Sequence, residues 1–178
     1  VKPPNRRIVL LIGLLAVPAG PLLYFLWWLP QRMEQNEQAA ILALKVIVAA
    51  EADFRANDRD GNRVHDYWVG DVAGLSYLRN PAGREIQLID QDLADADAAA
   101  LKPVGTRKPY RGYWFVVMKT DDSQGKHEPY GEDTDGTGSK LKSTTRFGVC
   151  AYPAEYGRTG RWTYFVNEYN SSFKRELG

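Results

Sequence analysis

The stretch from Ile8 to Leu29, IVLLIGLLAVPAGPLLYFLWWL, carries no charged side chain. At ~1.5 Å per residue, a helix of that length spans the ~30 Å hydrocarbon core of a bilayer. A buried core helix would show a polar face, and this segment has none. A cleaved signal peptide has a shorter apolar core and a small-residue cleavage site, whereas this run ends in WWLPQR. The sequence therefore predicts one transmembrane helix over 8–29. Lys2, Arg6 and Arg7 lie before it and the mixed set Arg32, Glu34 and Glu37 lies after it. That asymmetry puts residues 1–7 in the cytoplasm and 30–178 outside. The anchor runs from Ile8 to Leu29, and Tyr24, Trp27 and Trp28 mark its outer interface, where amphipathic rings prefer the headgroup layer. The bilayer is then the first partner.

What remains suffices for one domain, since a core is typically built from ~100 to 150 residues. Gln31 to Asn57 reads as an amphipathic helix, with Ala39, Ala43, Ile47, Ala50 and Phe54 at steps of three and four residues and Glu37, Lys45, Glu51 and Arg55 opposite. Arg84 to Leu101 gives a second, weaker helical pattern around Ile86, Ile89 and Leu93. Beyond it the period changes to two. Tyr113 to Lys119, Arg146 to Tyr152 and Trp162 to Asn167 read as antiparallel strands, with Phe173 to Leu177 as a short edge strand. Thr120 to Ser143 is a polar surface loop. The expected class is α+β: a membrane helix continuing into an amphipathic helix that packs on a small antiparallel sheet.

Composition excludes several functions. The net charge of +1 and the absence of a basic run argue against nucleic acid as a partner. One cysteine, Cys150, excludes an internal disulfide framework, a cysteine zinc cluster and a CxxCH haem attachment. Cys150 lies in an apolar strand pattern and reads as a small buried hydrophobe. His65 and His127 are too few for a zinc centre. No P-loop or dinucleotide fingerprint is present, and a paper triad of Ser76, His65 and Asp71 lacks a nucleophile elbow.

The most specific polar motif is Asp58-Arg59-Asp60-Gly61-Asn62-Arg63-Val64-His65-Asp66. Calcium takes six to eight oxygens, and Asp58, Asp60, Asn62, the Val64 carbonyl and Asp66 offer such a set. Val69 stands where an EF-hand carries its bidentate glutamate, so the motif is not an EF-hand. The competing reading is an Asx-rich turn with Gly61 at positive φ. Glu132, Asp133 and Asp135 form a second acidic turn. Tyr110, Tyr113, Trp114, Phe115, Tyr156, Trp162 and Tyr164 supply sheet core, with alternate rings left for a contact surface.

The order of these features resembles type IV pilins and type II secretion pseudopilins. NEQAAILALKVIVAAEADFRAND is similar to the exposed half of the long pilin helix. GYWFVVMKT and YPAEYGRTGRWTYFVNEYNSSFKREL are similar to an uncharacterised family of exported bacterial proteins of pilin-like organisation. The resemblance implies a single-pass protein of the bacterial inner membrane with a periplasmic or extracellular pilin-like head. Such a protein contacts other membrane proteins or copies of itself and is not an enzyme. Prepilins carry a leader-peptidase site and a glutamate at the fifth apolar position, whereas here that position is Ile12. This departure favours an accessory subunit over a filament component. The alternative is a surface-anchored hydrolase or carbohydrate-binding module, suggested by the acidic loops and exposed aromatics.

Overall fold

The structure, a computed structural model, describes residues 27–121, 125 and 127–178. Helix α1 spans Leu29–Ala56, and Pro30 sits in its first turn, where a missing N–H costs nothing. It ends at Asn57, after which Asp58 turns to φ 45°. Ala40, Ala43, Leu44, Ile47, Ala50, Glu51 and Phe54 form its buried face. The small residues among them let the backbone lie close to the sheet, while each buried Leu, Ile or Phe contributes about 1.5–3 kcal/mol.

The sheet under α1 has the strand order β2 (Tyr113–Val117), β6 (Gly148–Pro153), β7 (Trp162–Asn167) and β8 (Ser172–Glu176). All neighbours are antiparallel, and one register line runs Phe115, Ala151, Tyr164, Lys174. Alternation sends Tyr113, Phe115 and Val117 of β2 inward and leaves Trp114 and Val116 half-buried on the other face. Strand β1 (Tyr67–Trp68) pairs with β5 (Lys142–Ser143), and β3 (Thr120–Asp121) pairs with β4 (Glu128–Pro129). The polar segment before Ser143 is thus tied down at both ends rather than looping freely.

Two short helices complete the domain, α2 (Gly74–Tyr77) and α3 (Gln91–Asp95). The helix expected over Arg84 to Leu101 is reduced to α3. Before it, the Ile86 and Leu88 amides donate to the carbonyls of Leu78 and Leu75, so this stretch is extended. The Asp90 carboxylate then accepts from the Leu93 amide as an N-cap. After Asp95 the chain lies along β2, with Phe115 N–H donating to Ala96 and Ala98 N–H to Phe115.

The expectation of a transmembrane helix is corrected: among the described residues, no helix is long and apolar enough to cross a membrane. Helix α1 begins at Leu29, where the apolar run ends, and is interrupted by Arg32, Glu34, Glu37 and Lys45. Trp27 and Trp28, expected at an interface, are exposed, and the Arg32 guanidinium stacks 4.9 Å from the Trp28 ring centre. Ile8, Tyr24 and the rest of the expected span before Trp27 lie outside the described residues. The α+β class, with one long helix on antiparallel strands, stands.

Candidate functional site

The acidic motif after α1 forms a turn organised by its own side chains. Gly61 has the expected positive φ of 69°, and the Asn62 carbonyl oxygen of the side chain accepts from Val64 N–H. One Asp58 oxygen accepts from Arg63 N–H, and the other is buried without a hydrogen-bond partner. Asn62 Nδ2 donates to Asp66 Oδ2, which also accepts from the Thr134 hydroxyl. Asp60 turns to Lys142 of β5, with Nζ to Oδ2 at 2.6 Å, and the same ammonium reaches Asp135 at 3.3 Å.

Lys142 therefore links the two acidic turns that the sequence puts forward separately. Partial burial would lower its ammonium, but the carboxylates of Asp60, Asp66 and Asp135 hold it above the usual lysine range. Burial raises the Asp66 carboxyl. Burial would raise Glu132 as well, but the Thr144 N–H and hydroxyl, with the Thr145 and Ser143 hydroxyls, bring it below the ordinary value. Among the described residues, no three His, Cys, Asp or Glu side chains are grouped to hold a metal ion. Of the oxygens proposed for calcium, those of Asp60, Asp66, Asn62 and one of Asp58 are turned to Lys142, Thr134, the Asn62 amide and backbone N–H groups, while the other Asp58 oxygen has no such partner. Val64 contributes its carbonyl to the Asp66 N–H.

A second polar cluster, not singled out from sequence, lies inside the domain. Asp97 is 1% exposed, and it accepts from the backbone N–H groups of Val72, Ala73 and Ala99 at 2.6, 2.9 and 2.8 Å. Asp71 accepts from Trp68 Nε1, Gly74 N–H, the Tyr77 hydroxyl and Leu101 N–H. Lys119 Nζ donates to the Val69 and Gly70 carbonyls, and burial lowers its ammonium against the pull of Asp71 and Asp97. Burial likewise raises Asp97. The Trp68 ring lies so near Gly74 that an added Cβ would stand 2.1 Å from its Nε1. These acids order the Trp68–Gly74 loop. Glu51 of α1, fully buried and raised well above the carboxylate range by desolvation, accepts from Trp68 N–H.

The suggested triad does not assemble. Asp71 is spent on four donors, Ser76 is buried in α2, and His65 is exposed with Nδ1 on the Arg55 carbonyl. His127 is exposed. Cys150 is half-buried, and burial pushes its thiol up to about 12, far from a reactive thiolate. Of the aromatics, Tyr113, Phe115 and Tyr164 are core, Tyr110, Trp114 and Trp162 are half-buried, and Tyr156 is exposed.

The four-stranded sheet has an open edge. The outer side of β2 is bonded to Ala96 and Ala98, whereas among the described residues β8 has a strand partner only in β7, and all five of its residues are exposed. A groove of about 270 Å³ runs between β8 and α1, floored by Ile41, Leu44, Tyr164 and Val166 and rimmed by Lys45 and Lys174.

Fold and site together define an α+β domain whose buried carboxylates brace its loops and whose open surface is an edge strand beside an apolar groove. Residues 28–178 match the family described as protein of unknown function (DUF2950), and the chain belongs to that family. Comparison with curated proteins and with solved structures returned no match. The family description carries no activity and does not bear on the pilin resemblance.

Proposed function

We infer that this domain works by protein contact, as an accessory subunit of a larger assembly, and not by catalysis. One observation carries the reading: the only sheet edge left open among the described strands of the four-stranded sheet, β8, is fully exposed beside an apolar groove. An open edge offers unpaired N–H and C=O groups to another chain. Supporting it, Glu51, Asp66, Asp71 and Asp97 accept hydrogen bonds within the fold and so brace it from inside. A carboxylate fixed by several donors is poorly placed to move protons for a substrate.

The test is to isolate the full chain at native abundance from its own host and size it under mild conditions. The reading expects a defined heteromeric complex that dissociates when Lys174→Glu and Arg175→Glu are introduced together. A chain that is monomeric under the same conditions overturns it.

A further inference from the structure

We propose that β8 receives an extended acidic segment of a partner protein, which adds to the sheet as a further strand and buries apolar side chains on both sides of the edge. This rests on the protein-contact reading and names the partner's chemistry. The side chains of an added strand alternate between the two faces of the sheet. Both faces next to β8 are hollowed. On the α1 side lies the groove over Leu44 and Tyr164. On the opposite side lies a depression of about 520 Å³, lined in part by Met118, Tyr130, Phe165 and Phe173. Phe173, opposite Phe165 in the register, is 61% exposed.

The charge around the edge selects the partner. Lys45, Lys174 and Arg175 have no carboxylate within ion-pair distance among the described residues. Lys174 is turned over the Trp162 ring, 4.6 Å from its centre. The nearby acids, including the two that line the second depression, are already engaged: Glu176 by Tyr156 and Arg161, Glu37 by Arg161 N–H and the Tyr164 hydroxyl, Glu168 by Phe147 N–H and Asp121 by Arg146. A second copy is disfavoured, because an antiparallel β8 pair centred on Lys174 sets that ammonium against its own copy. Charges on an edge strand also guard against aggregation. A guarded edge, however, has no use for apolar grooves on both faces, and an arriving strand does.

The experiment uses the full chain and a fluorescent, end-capped seven-residue peptide, Asp-Val-Val-Asp-Val-Val-Asp, whose valines and aspartates fall on both faces of a strand, with binding read by fluorescence polarisation. Binding is expected to saturate and to weaken at least tenfold in the Lys174→Glu/Arg175→Glu double variant. Arg84→Glu, on an exposed turn beside the far end of α1, should bind like the unaltered chain. A peptide with lysine in place of aspartate should not bind, and one N-methylated at alternate residues should bind at least tenfold more weakly. Equal binding of the N-methylated peptide overturns strand addition, and equal weakening by Arg84→Glu overturns the assignment to β8. No binding of the acidic peptide, while the native complex persists, overturns this proposal and leaves the contact reading in place. Loss of the native complex itself is the separate failure of that reading.

Discussion

Asp97→Ala removes an acceptor that serves the N–H groups of Val72, Ala73 and Ala99, all within 2.9 Å. Each buried donor left without a partner costs about 1–3 kcal/mol. Against that sum stands the relief of desolvating a carboxylate that burial already raises. The expected net loss is roughly 4 kcal/mol, near the upper end for single substitutions. Asp97→Asn keeps one side-chain oxygen for two of the donors and turns an amide toward the third, so its cost is about 1–2 kcal/mol. Urea unfolding of the full chain at pH 7, followed by tryptophan fluorescence, measures both, since Trp68 packs in the loop that Asp97 holds. A cost of about 1 kcal/mol or less for alanine would refute the bracing role. Equal costs for alanine and asparagine would mean that charge, not acceptor geometry, holds the loop.

Glu51→Gln should stabilise the chain at neutral pH. The folded-state pKa of Glu51 is raised, so its stabilising contribution is complete below the unfolded value of about 4.3 and is lost as pH rises through the folded value. The variant should therefore flatten the fall in stability above about pH 4 in a pH series of unfolding midpoints; an unchanged slope counts against a buried, proton-binding Glu51. Lys142→Ala strips the counter-charge from Asp60 and Asp135, whose side chains are 15% and 24% exposed, and should cost about 2 kcal/mol at pH 7. That loss should persist down to about pH 4 and shrink only below it, because hydrogen bonds from Thr137 and the Lys142 charge hold the Asp135 carboxyl below the ordinary aspartate value; a loss that does not change as pH falls would point to packing instead. Gly74→Ala places a Cβ against the Trp68 indole and should cost about 1–3 kcal/mol with a shifted tryptophan emission; a neutral effect would show that the indole is free to move.

Strands of aromatic and β-branched residues were readable from the residues alone. Trp162 to Asn167 is β7 to the residue, because aromatic and β-branched side chains cluster there between a glycine-bearing turn before and an asparagine-bearing turn after. The stripe on α1 was legible for the same reason, although its centre lies nearer Ala40, Leu44 and Ile47 than Ala39. Arg84 to Leu101 misled because its apolar spacing fits a helix, while the decisive bonds from Ile86 and Leu88 run to residues about ten positions earlier. Local pattern carries no information about such partners. The same limit hid the role of Lys142, which joins Asp60 to Asp135 across 82 and seven positions of chain. A signal for the inner cluster was present: Asp71 interrupts the otherwise apolar WVGDVAGL, Asp95 and Asp97 interrupt the otherwise apolar ADADAAAL, and an acid in such a run needs donors around it. The edge was expected from Phe173 onward, but its open side became visible only when Ala96 and Ala98 were found along β2.

The central claim is that β8 is where this domain meets another protein. A photo-crosslinking amino acid at the position of Phe173, in the full chain within its host, tests this most directly, with the position of Arg84 as the reference. The account predicts a discrete adduct from position 173, none from position 84, and loss of the first in the Lys174→Glu/Arg175→Glu background. Adducts of equal yield from both positions, or none from position 173, would contradict it.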